Sequence, residues 1–125
     1  MTAQRQWEAL LAQSCGSLTL ARSLVEACEE DFAERVREVE SAWDRQDAVA
    51  LAQAAHTAKS VVAVFSQGAL LDGLASLESC ARQGRLVDAQ PLRAHWDGWV
   101  QDFHAEIRAL KACMPSGNPS GLGGL

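Results

Sequence analysis

Hydrophobic residues recur at every third or fourth position along most of the chain, which is the spacing of one face of an α-helix. The segments that follow this spacing are 4–14, 17–47, 48–65, 69–84 and about 88–114. No segment alternates hydrophobic and polar residues as a half-buried strand does, and the first proline is Pro91. Long amphipathic helices with short connections favour an antiparallel up-down four-helix bundle, here with a short extra N-terminal helix. The pattern therefore predicts an all-α fold.

Capping residues mark the expected helix ends. Ser17 or Thr19 can cap the second helix, Asp47 the third and Asp88 the last, because such side chains accept bonds from the free amides of a first turn. Gly84 is expected just after the fourth helix, since glycine adopts the left-handed conformation that ends many helices.

The apolar face of each helix predicts the core of the bundle. In the second helix this face comprises Ala21, Leu24, Cys28, Phe32, Val36, Val39 and Trp43. In the third it comprises Leu51, Ala55, Ala58, Val62 and Phe65, and in the last Leu92, Trp96, Trp99, Phe103, Ile107, Leu110 and Met114. The charged residues between these positions are expected to form solvated faces.

A single domain is expected over residues 1–114. Residues 115–125 (PSGNPSGLGGL) are expected to form a flexible tail, because glycine, serine and proline dominate them. The formal charge of -5 disfavours a general binder of nucleic acid or anionic membranes, which would need a basic patch. The longest apolar run, 61–65, is too short to span a bilayer, and no signal peptide is visible. We expect a cytoplasmic, monomeric protein that binds neither nucleic acid nor membrane.

The cysteines and two of the histidines suggest no metal or redox chemistry. The cysteines are Cys15, Cys28, Cys80 and Cys113. They form no C-x-x-C pair and match no zinc spacing, so we expect small buried side chains in a reducing compartment. His95 and His104 flank the aromatic face of the last helix, and the Glu-x-x-His pairs of a bundle metal centre are missing from the sequence. We predict no metal and no cofactor of the chain's own.

His56 is the candidate functional residue of the sequence. On a helical wheel of about 100° per residue it lies roughly 120–140° from the centre of the apolar face of its helix, so we expect it on the surface. Lys59 lies one turn later, and the small residues Ala52, Ser60 and Ala63 leave the imidazole open. A neutral imidazole is a nucleophile near pH 7, and a nearby ammonium offsets the charge of a phosphoryl group. The residues alone leave two interpretations open, a phosphoacceptor and an ordinary surface or half-buried histidine.

Two stretches carry a resemblance to a known family. Residues 54–60 (AAHTAKS) hold the histidine and the lysine at the family spacing, and 70–78 (LLDGLASLE) follows in ungapped register. The upstream stretch 44–56 (DRQDAVALAQAAH) is similar to an acidic turn followed by an alanine-rich helix. Over roughly residues 17–113 the chain resembles the histidine-containing phosphotransfer (Hpt) domain.

The resemblance implies a role for each matching residue. His56 would carry the phosphoryl group, Lys59 would stabilise it, and Glu78 would accept a hydrogen bond from the imidazole. The residues expected on the partner-binding face are Ala52, Ser60, Ala63 and Gln67. Ser60 and Ser66 stand where the family has glycine, and serine is small enough to keep His56 accessible.

The resemblance also implies partners. The chain would accept a phosphoryl group from the aspartate of a response-regulator receiver domain and pass it to another receiver, in a phosphorelay that begins at a hybrid sensor kinase. The receiver would supply Mg²⁺. The sequence has no nucleotide-binding motif, so we do not expect an enzyme that uses ATP. The alternative is a non-transferring helical adaptor of the same fold that binds a receiver or kinase and regulates it.

Overall fold

The computed structural model describes residues 3–65 and 68–114, and these residues form five helices and no strand. The helices are α1 (Ala3–Gln13), α2 (Leu18–Asp44), α3 (Ala48–Ala63), α4 (Ala69–Arg82) and α5 (Leu86–Cys113). The predicted all-α fold is confirmed, and each predicted helix is present. Gln67, Ser66 and the predicted tail over 115–125 lie outside the described residues.

Helices α2 to α5 form the bundle. α3 packs between α2 and α4, and α5 packs against both α4 and α2, which closes the ring. Short connections join successive helices, so neighbours run in opposite directions. α2 and α5 are antiparallel as well, because Arg93 pairs with Asp44 at one end and Lys111 pairs with Glu29 towards the other. α1 packs on α5 and α2, as expected for the short extra helix.

Local capping chemistry sets most of the helix ends. The Ser17 hydroxyl accepts a bond from the backbone amide of Leu20 at 3.1 Å, so Ser17 rather than Thr19 caps α2. The Asp47 carboxylate accepts the corresponding bond in α3, also at 3.1 Å. Gly84 follows α4 with φ 69°, the left-handed conformation for which glycine was expected.

The predicted start of the last helix is wrong. α5 begins at Leu86 with Arg85 in the N-cap position, so Asp88 lies inside the first turn instead of capping it. The Asp88 carboxylate accepts a bond from Arg85 Nε at 2.6 Å. A carboxylate in a first turn interacts favourably with the positive end of the helix dipole. This interaction accounts for an aspartate at position 88 although it does not cap the helix.

The core follows the predicted apolar faces with one shift, in α2, and four residues of those faces are only half-buried: Val36, Leu92, Trp99 and Met114. All five core residues predicted for the third helix are buried, although Phe65 lies just beyond the end of α3. In α2, Val25 is fully buried whereas Leu24 is 42% exposed, so the prediction for Leu24 is wrong. From Ala21, steps of three and four lead equally well to either position, and packing selects Val25. Between α2 and α5, the ring centroids of Phe32 and Phe103 lie 4.5 Å apart.

A glycine brings α4 close to α5. Gly73 is buried on α4, and a Cβ added there would overlap the indole ring of Trp99. The missing side chain therefore leaves room for the half-buried indole ring of Trp99 beside the backbone of α4. This contact fixes the position of α4, the helix that also carries Glu78.

The cysteines are free and only partly match their prediction. Cys28 is buried, and its burial, with help from neighbouring carboxylates, raises the pKa of its thiol to about 12. Cys80 and Cys113 are half-buried, and Cys15 is exposed in the turn after α1 with φ 55°. The prediction of buried cysteines is therefore wrong for Cys15, which lies beyond the end of its helix. Within the described residues, no helix is both long and apolar enough to cross a membrane.

Candidate functional site

His56 lies near the middle of α3 on the side that faces away from the core. Its side chain is 52% exposed, as the helical wheel predicted. The alanine-rich sequence of α3 favours the helix while adding little bulk around the ring. The imidazole is therefore open to a docking protein.

Glu78 is the carboxylate that α4 brings to His56. It follows the buried Leu77, and the residue is 7% exposed. His56 Nδ1 lies 3.0 Å from Glu78 Oε2, and Lys59 Nζ lies 2.8 Å from Oε1 as an ion pair. The structure therefore brings together the three residues predicted to carry the chemistry.

Arg82 is a fourth member of this cluster that the sequence analysis missed. Its Nε and Nη2 both donate to Glu78 Oε2, at 2.9 and 2.6 Å. The available signal was local, because Glu78 and Arg82 are four residues apart on one helix face, where opposite charges pair.

The charges around Glu78 keep it ionised. The Lys59 ammonium beside Oε1 lowers the pKa of the Glu78 carboxyl more than burial raises it. The bonds from Arg82 and His56 add to this effect, and together they hold the pKa at about 2 instead of 4.5. At neutral pH the carboxylate is an acceptor only.

This ionised carboxylate selects the imidazole tautomer. Because Glu78 Oε2 can only accept, Nδ1 of His56 must donate, and the single proton of the neutral ring lies on Nδ1. Nε2 then carries a free lone pair. An exposed imidazole with Nε2 unprotonated is equipped for nucleophilic attack.

The residues around His56 form a surface that differs in part from the prediction. Ser60 and Ala63 are exposed, and the Ser60 hydroxyl donates to the backbone oxygen of His56 at 3.2 Å. Ala52 is only 7% exposed, so it offers a partner almost no surface, and its place in the predicted docking face does not fit the structure. Val49, two turns before His56, is 82% exposed and adds an apolar side chain to this surface.

An open groove of about 520 Å³ runs between α2 and α3. Gln53 and Thr57, which flank His56 on α3, line it together with charged residues of α2. Among those, Glu34 and Arg37 pair with each other. The groove thus extends the polar surface beside His56 towards α2.

The other two histidines contact aromatic rings. His95 stacks on Trp99 with ring centroids 5.4 Å apart, and His104 meets the edge of Phe32 at 5.2 Å. In the part of the chain that the structure describes, no group of three or more His, Cys, Asp or Glu side chains could hold a metal ion. His56 therefore differs from both in having an ionised carboxylate on one ring nitrogen.

Comparison with known proteins gives one match. A family model, the Hpt domain, matches residues 23–112, which contain the whole His56 cluster. Searches among curated proteins and among solved structures each find no match. Hpt domains are phosphotransfer modules without a catalytic ATP site of their own, and the family interacts with response-regulator receiver domains. The chain belongs to the Hpt domain family, which implies histidine phosphotransfer in a His–Asp phosphorelay.

Proposed function

We propose that the chain accepts a phosphoryl group on Nε2 of His56 from the phosphoaspartate of one receiver domain and passes it to the aspartate of another. The observation that carries the proposal is the bond between His56 Nδ1 and the ionised Glu78, which leaves Nε2 free on an exposed ring. Lys59 supports it with an ammonium one turn away on the same helix.

The transfer step needs no proton to move. The Nε2 lone pair forms the N–P bond while the P–O bond to the receiver's aspartate breaks, and the aspartate leaves as a carboxylate with the bonding electrons. The imidazole keeps its Nδ1 proton and becomes positively charged. Glu78, already bonded to Nδ1, stabilises that charge, and Lys59 offsets the charge of the phosphoryl oxygens. Onward transfer is the reverse step with a second aspartate as nucleophile.

The partners would supply what the chain lacks. We expect the receiver domain to bring Mg²⁺ and most of the groups that activate the aspartate. We expect the first phosphoryl group of the relay to come from a hybrid sensor kinase. We further expect a cytoplasmic monomer that contacts receivers through a small, transient interface around His56, Ser60 and Ala63.

Phosphotransfer to the purified chain tests the proposal. Receiver domains carrying labelled phosphate are mixed with wild type, His56→Gln and the control His95→Gln. Wild type and His95→Gln should take up label that is lost in acid and survives base, whereas His56→Gln should fold and take up none. Label that persists in His56→Gln would contradict the assignment.

The same assay separates transfer from the adaptor alternative. If none of a panel of receivers labels the wild-type chain but binding is still detected, the result would support a non-transferring adaptor. In that outcome, Ser60→Gly and Ser66→Gly test whether the serines at the family glycine positions abolish transfer.

A further inference from the structure

Arg82 joins the His56 site through Glu78. Its Nε and Nη2 donate to Oε2, the same oxygen that accepts the bond from His56 Nδ1. Lys59 contacts the other oxygen, Oε1, at 2.8 Å. The two cations therefore hold different oxygens of one carboxylate, and Arg82 holds the oxygen that orients the imidazole.

The two cations reach Glu78 from different helices. Lys59 is on α3, one turn after His56, so its flexible side chain can also approach a group bonded to the imidazole. Arg82 is on α4, one turn after Glu78, and its contact is within its own helix. A phosphoryl group carries up to about two negative charges, so it attracts the Lys59 ammonium more strongly than the single charge of Glu78 does.

Glu78 still requires a cation when Lys59 turns away. Its side chain is 9% exposed, and a carboxylate with so little access to water needs a paired charge. Phosphorylation also makes the imidazole positive, so the bond from Nδ1 to Oε2 then joins two groups of opposite charge. On the basis of the proposed function, we propose that Arg82 is a positioning residue that keeps Glu78 on Nδ1 of His56 when Lys59 moves to the phosphoryl group.

Three variants separate this role from a general effect of charge. Arg82→Ala removes the contact, and Arg82→Lys keeps a cation at the same position. The control is Arg85→Ala, which removes an arginine that is 64% exposed three residues further on and pairs with Asp88 instead. Thermal melts followed by circular dichroism establish that each variant folds.

The first measurement uses the unphosphorylated chain and no receiver. Nitrogen-15 NMR of His56 reports the share of the Nδ1–H tautomer, and carbon-13 NMR reports the titration of Glu78. In Arg82→Ala the Nδ1–H share should fall and the pKa of Glu78 should rise from about 2 towards 4.5. Arg82→Lys should restore both values in large part, and Arg85→Ala should leave both unchanged. Wild-type values in Arg82→Ala would contradict the contact between Arg82 and Glu78 on which the positioning role rests.

The second measurement follows the phosphorylated state. Small-molecule phosphoramidate loads His56 chemically, and the half-life of the phosphohistidine is then measured at neutral pH. It should be about two- to fivefold shorter in Arg82→Ala, as expected for one partly exposed ion pair. An unchanged half-life would overturn the positioning role and would mean that Arg82 only forms a surface ion pair. Failure of receivers to label wild type would count against the proposed function. It would not affect the role of Arg82, because neither of these two measurements uses a receiver.

Discussion

Replacing Glu78 by glutamine tests the charge network directly. The amide keeps the shape of the side chain, and its oxygen can still accept the bond from His56 Nδ1, but the negative charge is lost. Lys59 and Arg82 then face a neutral group. Because the pKa of Glu78 differs between the folded and unfolded chain, the wild type gains a pH-dependent stability that the variant lacks.

The magnitude follows from the two pKa values. The folded value of about 2 and the ordinary value of 4.5 differ by about 2.5, and each pKa unit corresponds to about 1.4 kcal/mol, which gives about 3–4 kcal/mol. The folded pKa is the lower one, so this stabilisation is fully present above pH 4.5 and is lost as the pH falls through about 2. By about pH 3 the wild type should have lost about 2 kcal/mol of it.

Urea unfolding followed by tryptophan fluorescence measures the effect. The difference in unfolding free energy between wild type and Glu78→Gln should shrink by about 2 kcal/mol between about pH 6 and pH 3. Glu34→Gln is the control, because Glu34 forms an exposed pair with Arg37 one turn away on the same helix. Its difference from wild type should change much less with pH. Equal pH dependence in wild type and Glu78→Gln would refute the proposed charge network.

Three further substitutions probe the site and its support. Lys59→Ala should slow transfer and also cost about 1–2 kcal/mol of unfolding free energy, because it removes one cation from the poorly exposed Glu78; a fully retained rate would remove Lys59 from the mechanism. Ser60→Leu should leave the melting temperature unchanged and weaken receiver binding in calorimetry, and unchanged affinity would place the docking surface elsewhere. Gly73→Ala should cost about 1–3 kcal/mol in urea unfolding because its methyl group overlaps Trp99, and unchanged stability would contradict that contact.

The helices could be predicted because their signals are local. The apolar residues recur every three or four positions, and the caps at Ser17 and Asp47 bond to backbone amides only three residues further on. The errors arose where two local solutions were equally good. Leu24 and Val25 both continue the apolar face of α2, and Asp88 could either cap α5 or lie in its first turn. Only tertiary packing and the preceding turn decide between such alternatives.

The site was predictable to the extent that it lies on one helix. His56 and Lys59 share α3, so a helical wheel places them, whereas the partnership with Glu78 required the family resemblance. Arg82 carries a local signal, but such pairs are common on surfaces, and its importance comes from the burial of Glu78. Ala52 was misplaced because α3 packs against both α2 and α4, which widens its buried face beyond the apolar stripe.

Glu78 contributes both to stability and to the orientation of the imidazole, so lost transfer in a Glu78 variant does not by itself establish a chemical role. Two substitutions separate the contributions. Glu78→Gln keeps an acceptor for Nδ1 and removes the charge, whereas Glu78→Ala removes both. If orientation dominates, Glu78→Gln should transfer at a rate close to wild type while Glu78→Ala is slow. If the charge opposite the phosphorylated ring dominates, both variants should be slow and both should lose phosphohistidine faster. The comparison is made near neutral pH in variants with matched folded fractions, so that a difference in rate reflects the site itself.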